Sequence, residues 1–260
     1  MQSQILYEDK EIIVAHKPAG IAVQTARLGQ QDMVSELKNY LCRSKAKGLA
    51  GRGGSSGGQS EPYLGIIHRL DQPVEGILVF AKTKASATNL TAQLRQQGEE
   101  GTFCKRYYAV LCGIPVEKEG RLTDYLGKQA VKNGKSVDYR AVIIRQNPEK
   151  SAPDQRSGKK AVLEYRILQV QEEQGLALAD ITILTGRFHQ IRAQMAHGGT
   201  PLLGDLKYGN LETKELAGRL HIRNVALCAY QLSFRHPVSK EPMDFQVKPT
   251  HPAFSSFSQL

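Results

Sequence analysis

Three short segments carry polar residues where the surrounding pattern calls for burial, and they hold the side chains best placed to do chemistry. His68-Arg69-Leu70-Asp71 follows the apolar run 64–67 and precedes a turn containing Pro73. A carboxylate at the end of a buried strand sits at the edge of the interior, where it can serve as a nucleophile or a base. It can equally well cap its own turn. In the segment 187–197, Phe188, Ile191, Arg192 and Met195 fall on one helical face. Arg192 therefore points with the apolar side chains, and a buried guanidinium needs an anion beside it. A structural ion pair, or a stem that reaches back to water, satisfies the same pattern. The third segment is Lys105-Arg106-Tyr107-Tyr108. Neighbouring tyrosines on a strand face opposite ways, so one can line a cleft while the other meets solvent, or both can pack.

Several common chemistries fail on spacing. Gly134-Lys135-Ser136 resembles the end of a P-loop, but Gln129 stands where the first glycine belongs. The string GRGGSSGG lacks the full dinucleotide-binding pattern and a preceding strand. His189 and His197 lie eight residues apart, too far along one helix to share a metal ion. There is no H-x-E with C-x-x-C and no G-x-S-x-G. The four cysteines, Cys42, Cys104, Cys112 and Cys228, form no C-x-x-C pair and read as free thiols. Chemistry without a metal or cofactor is the expectation that remains.

The elements that must position these residues follow from periodicity. Short strands with a Lys17-Pro18-Ala19-Gly20 turn occupy 5–23, and the spacing predicts a helix over 31–43. Residues 44–61 have almost no apolar content and read as a flexible Gly-rich loop. Strands are expected over 63–70, 76–82, 105–112, 161–170, 176–184 and 225–234, with helices over 84–97 and 187–197. Strands outnumber helices without strict alternation. This predicts an α+β fold with a central, mostly antiparallel mixed β-sheet flanked by helices and loops, rather than a doubly wound fold.

At 260 residues, the chain is expected to be one domain. No apolar run is long enough to span a bilayer, and the acidic N-terminus is unlike a secretory signal, so a cytoplasmic protein is expected. Thirty-five Lys and Arg against 25 Asp and Glu give a net charge of +10, which attracts polyanions. Residues 121–160 hold an excess of six basic residues and read as a surface hairpin and loop.

Taken together, the segments resemble the RluA family of RNA pseudouridine synthases. HRLDQPVEGILVFAKT is similar to that family's catalytic motif, CKRYYAVLCG to its K-x-Y-x-A strand, and TGRFHQIRAQMAHGGTPLLGDLKYG to its long C-terminal signature. ILYEDKEIIVAHKPAGIAVQ and GKKAVLEYRIL also match, so the likeness runs from about residue 5 to 247. The resemblance implies the pseudouridine synthase fold and isomerisation of uridine to pseudouridine in structured RNA, an rRNA or tRNA stem-loop, with no cofactor. It implies Asp71 as the catalytic carboxylate, Arg192 as its paired cation and Tyr107 packed against the uracil. His68, Arg69, Lys105, Arg187 and His189 become candidate RNA contacts, with Arg69 filling the gap left by a flipped base and His68 orienting the turn. Two positions depart from the family pattern. Val74-Glu75 replaces a common Thr-Ser, with Glu75 expected to add negative charge near the site, and Phe188 replaces a common Thr. No S4 domain is recognisable before Ile5, so the RNA grip is expected from the 44–61 loop and the 121–160 stretch, and a monomer is the simplest expectation. The alternatives are a non-catalytic RNA-binding or assembly factor on the same fold and an N-glycosidic hydrolase, which would ordinarily need a second carboxylate.

Overall fold

Short apolar runs rich in β-formers punctuate the chain, and in the computed structural model they produce one mixed sheet. Residues 2–26, 29–49, 61–98, 103–133, 136–144 and 158–260 are described. The strands are β1 (Gln4–Glu8), β2 (Ile12–Lys17), β3 (Gly65–Ile66), β4 (Glu75–Ala81), β5 (Cys104–Cys112), β6 (Glu119–Asn133), β7 (Ser136–Ile143), β8 (Lys159–Gln171), β9 (Leu176–Ile183), β10 (Leu227–Arg235) and β11 (Pro242–Gln246). Their order across the sheet is β1-β2-β4-β10-β5-β9-β8-β6-β7, with β3 on β4 and β11 on β10. Every pairing between these strands is antiparallel except that of β4 with β10. The α+β expectation holds.

The helices are α1 (Met33–Leu49), α2 (Lys84–Arg95), α3 (Gln190–His197) and α4 (Leu211–Arg219). Successive strand residues feed opposite faces. Ile13, Leu78, Phe80, Tyr107, Ala109 and Ile181 build one core with Leu37 and Leu41 of α1 and Ile191 and Met195 of α3. Val110, Leu178, Cys228 and Tyr230 pack on the other face beneath Ala217 of α4 and the C-terminal Phe254 and Phe257. The adjacent tyrosines do split between faces, and Tyr108 is only partly exposed. It stacks on Tyr230 with ring centres 3.6 Å apart.

Several boundaries differ from the sequence reading, each for a local reason. Helix α1 continues to Leu49 because Lys45, Ala46 and Lys47 are good helix formers, so the expected loop does not begin at Ser44. Residues 50–60 of that loop lie outside the described residues. The expected strand 63–70 pairs only at Gly65–Ile66, after which the chain leaves the sheet to form the turn that carries Asp71. Helix α3 starts at Gln190, because His189 takes a left-handed backbone with φ of 51°. Phe188 thus falls outside the helix and off its apolar face. Within 121–160, the hairpin is present as β6 and β7, 159–160 already belong to β8, and 145–157 lie outside the described residues. Helix α4 and strand β11 were not expected from periodicity. Among the described residues, no helix is long and apolar enough to cross a membrane.

Candidate active site

Asp71 reaches the site because its turn is held from behind. The Gly20 amide donates to the Gln72 carbonyl at 2.8 Å, and Val74 N–H closes the turn onto the Asp71 carbonyl at 3.0 Å. The Lys17 ammonium lies fully buried beneath, donating to the carbonyls of Pro18, Ile21 and Gln72 at 2.8–3.1 Å. Burial pulls the pKa of Lys17 down to about 7.

Helix α3 brings Arg192 to the same place. Its Nη1 donates to Asp71 Oδ2 at 2.9 Å. Its Nε and Nη2 form a bidentate pair with Asp205 at 2.7 and 2.8 Å. Burial alone would weaken the guanidinium's charge, but Asp205 first and Asp71 second more than offset it and raise its pKa. The same pairing holds the Asp205 carboxyl below its ordinary range despite burial. Asp205 is fixed further by the backbone amides of Lys207 and Tyr208 at 2.9 and 3.1 Å. The preceding Gly204 is obligatory: its φ is +78°, and a Cβ there would stand 2.1 Å from the Asn224 carbonyl oxygen. Asp205 is thus a structural residue as well as the second partner of Arg192, a role not read from the sequence.

His189 is the other neighbour of Asp71, with Nε2 3.5 Å from Oδ2. Its Nδ1 lies 2.8 Å from the Tyr208 hydroxyl, whose oxygen also accepts from the Ala141 amide. That hydroxyl therefore has its hydrogen free for Nδ1, which leaves the proton of a neutral ring on Nε2, facing the carboxylate. Burial lowers the pKa of His189 to about 4, so the ring is neutral near pH 7. Burial likewise pushes the Tyr208 hydroxyl up to about 12. The left-handed turn at His189 is pinned by Gln190, whose side-chain oxygen accepts from the Arg187 amide and the Thr185 hydroxyl.

A cavity of about 1030 Å³ opens over these groups, lined among others by Arg69, Asp71, Lys105, Tyr107, Arg187 and His189. Asp71 is a quarter exposed, 24%, and its Oδ1 has no hydrogen-bond partner among the described residues. Tyr107 is buried in the wall with no hydrogen bond to its hydroxyl among the described residues, and burial, with Asp71 adding to it, raises its pKa well above the ordinary value. Lys105 is buried with no ion pair among the described residues; its ammonium sits 5.8 Å over the Phe103 ring, and burial lowers its pKa to about 8.

Of the expected contacts, Arg69 and Arg187 are exposed at the rim, with Arg187 Nε donating to the Lys160 carbonyl at 2.8 Å. His68 is buried edge-on against Phe103 and accepts from the Val79 amide at 3.4 Å. It thus braces the turn, with little surface left to offer RNA. Glu75 stands near the site, close enough to act on Lys17, but does not line the cavity. It is 1% exposed and accepts from the Thr250 amide and hydroxyl and the His251 amide.

Comparisons with known proteins bear on the family and the fold. The family model for RNA pseudouridylate synthase matches residues 11–197. Ribosomal large subunit pseudouridine synthase D of Zymomonas mobilis is 31% identical over 94% of this chain and 68% of its own length. Dual-specificity RNA pseudouridine synthase RluA of Yersinia pestis is 27% identical over 93% of this chain and 97% of its own. Among solved structures, human RNA pseudouridylate synthase domain containing 4 shares the fold, with a TM-score of 0.66 and 24% identity over 96% of this chain and 89% of that one. The chain belongs to the RNA pseudouridylate synthase family, enzymes that isomerise uridine in RNA to pseudouridine.

Proposed function

We propose that the protein isomerises uridine at defined positions of structured RNA, in an rRNA or tRNA stem-loop, with Asp71 as the catalytic carboxylate. One observation carries this reading: Asp71 lines the cavity with one oxygen, Oδ1, unpartnered among the described residues while Arg192 holds the other. In the reaction the N1–C1′ bond breaks, the uracil turns, and C5 bonds to C1′. The C5 proton leaves and N1 gains one, so no electrons are exchanged with a cofactor. Asp71 either attacks C1′ or removes a sugar proton to give a glycal. Both routes start from the carboxylate, whose Oδ2 the Arg192 guanidinium holds in place.

Tyr107 packs against the uracil. Its raised pKa speaks against a role as the base that takes the C5 proton. Arg69, exposed at the rim, fills the stack left by the flipped nucleotide, and Lys105 and Arg187 meet phosphate or uracil oxygens. His189 positions Asp71 rather than reading RNA. A relative named for the large ribosomal subunit favours rRNA, and one named for dual specificity is in keeping with more than one RNA target. A hydrolase is disfavoured, since Asp205 is sealed behind Arg192 and cannot flank the bond from the other side.

The test is tritium release from rRNA and pooled tRNA transcripts labelled at C5 of uridine, with Asp71→Asn as control. Release by the wild type alone, without free uracil, is expected. Persistent release by Asp71→Asn, or free uracil among the products, overturns the assignment.

A further inference from the structure

Phe188 is a large apolar side chain placed where it gains little from the core. It is 40% exposed at the cavity rim, and it is one of the two positions that depart from the family pattern. Its ring is nonetheless fixed. It stacks on His189 with centres 3.8 Å apart and planes 21° from parallel, and the left-handed backbone of His189 sets that orientation. One face of the ring is thereby covered and the other is left open.

The open side faces the β6–β7 hairpin. The Lys128 ammonium stands 5.0 Å from the centre of the Phe188 ring and 4.0 Å from that of Tyr139. Tyr139 is itself 43% exposed. Two exposed aromatic rings thus share one exposed cation, next to a carboxylate that lies 3.5 Å from His189. The hairpin is anchored at this point. Lys207 Nζ donates to Asp138 at 2.8 Å and to the Tyr139 carbonyl at 3.1 Å, and the Ala141 amide donates to the Tyr208 hydroxyl at 2.7 Å. Lys207 and Tyr208 follow Asp205, so the tyrosine platform and the Arg192–Asp205 pair hang from the same turn.

We propose that Phe188, with Lys128 and Tyr139, forms a stacking subsite for the base adjacent to the target uridine. The base lies on the open face of Phe188, and Lys128 leaves the gap between the rings to pair with the phosphate. An exposed cation–π contact is weaker than base stacking on an aromatic ring, so the exchange is favourable. Stacking tolerates any base but rewards the larger surface of a purine, so the subsite favours a purine beside the uridine. The proposal rests on the cavity being the seat of that uridine.

The experiment uses stem-loop RNAs with a loop uridine and either an abasic site or fluorescent 2-aminopurine on its 5′ or 3′ side. At one of the two positions, wild-type protein should quench 2-aminopurine and bind the abasic RNA about tenfold more weakly than the intact one. Phe188→Thr should lose the quenching, bind intact RNA about as weakly as wild type binds abasic RNA, and lose nothing further from the abasic site. Phe188→Trp should restore both. The side chain is exposed, so an unchanged thermal transition is expected for each variant. An abasic site that costs nothing at either position, or costs the same in wild type and Phe188→Thr, overturns the subsite. Both readouts need binding alone, so absent turnover would count against the assigned reaction and not against the platform.

Discussion

Asp71 and Glu75 stand four residues apart, at the two ends of one turn into β4, and their surroundings could hardly differ more. Glu75 is saturated by backbone and hydroxyl donors from Thr250 and His251 and excluded from water, with His16 Nε2 4.0 Å away. Asp71 lines the cavity, with a guanidinium and an imidazole on one oxygen and no partner among the described residues on the other. The first arrangement ties the C-terminal segment to the sheet, and the second presents a charge to whatever enters. Two carboxylates of equal chemistry are thus sorted by which atoms satisfy them and by how many. Gly76 sets the dividing line. Its φ is +136°, and a Cβ there would meet the Ala229 backbone at 2.5 Å, so β4 packs tightly on β10 at Glu75 and Gly76.

The sharpest way to break this contrast is at Asp71. Asp71→Asn keeps the shape of the side chain and its hydrogen-bonding oxygen but removes the charge. Turnover should fall by at least about three orders of magnitude, as when a nucleophile or base is removed. RNA binding should stay within a few fold, as read by filter binding alongside single-turnover kinetics. Retained turnover would mean that Asp71 is another held carboxylate, no different in kind from Glu75.

Next in size is the support behind Asp71. Asp205→Asn leaves Arg192 buried with half its anionic partner gone, and breaking a buried pair from one side costs about 3 kcal/mol or more. Chemical denaturation should show that loss. The turnover number should also fall, because Arg192 is then free to follow Asp71 instead of holding it. Loss of stability with an unchanged turnover number would make Asp205 a purely structural anchor. For Glu75→Gln that is the predicted result. An amide nitrogen now faces backbone donors, at a cost of about 1–3 kcal/mol, while turnover of the folded protein stays within a few fold.

How much of this was legible in the sequence depended on whether the signal was local. Asp71 at the end of an apolar run, Arg192 at helical spacing among apolar residues, and the outward split of Tyr107 and Tyr108 are local patterns, and the fold placed all of them as read. Asp205 joins the site over 13 residues through a glycine whose necessity comes from the Asn224 carbonyl, which no window of sequence contains. Glu75 misled for the same reason. Its position beside the Asp71 turn suggested the site, whereas its hydrogen-bond donors lie 175 and 176 residues away. His189 was read as an RNA contact from its motif, and only the left-handed turn reveals that it points at Asp71.

The smallest effect tests whether His189 belongs to the open side of the comparison or the sealed one. Its ordinary pKa is 6.5 and its folded value about 4. As pH falls through this window the unfolded chain takes up the proton first, so stability present above pH 6.5 is progressively lost toward pH 4. His16, His68 and His251 are also lowered by burial and contribute in the same direction. His189→Gln should therefore reduce, not abolish, the stability lost between neutral pH and pH 4.5, by about 1 kcal/mol once residual solvent contact is allowed for. Urea titrations of both proteins at the two pH values measure the difference. Because His189 stays neutral throughout the working range, the turnover number between pH 5.5 and 8 should keep the same profile in the variant. A wild-type decline above pH 6.5 that disappears in His189→Gln would show instead that the imidazolium is the working form, and that the charge beside Asp71 comes from two cations rather than one.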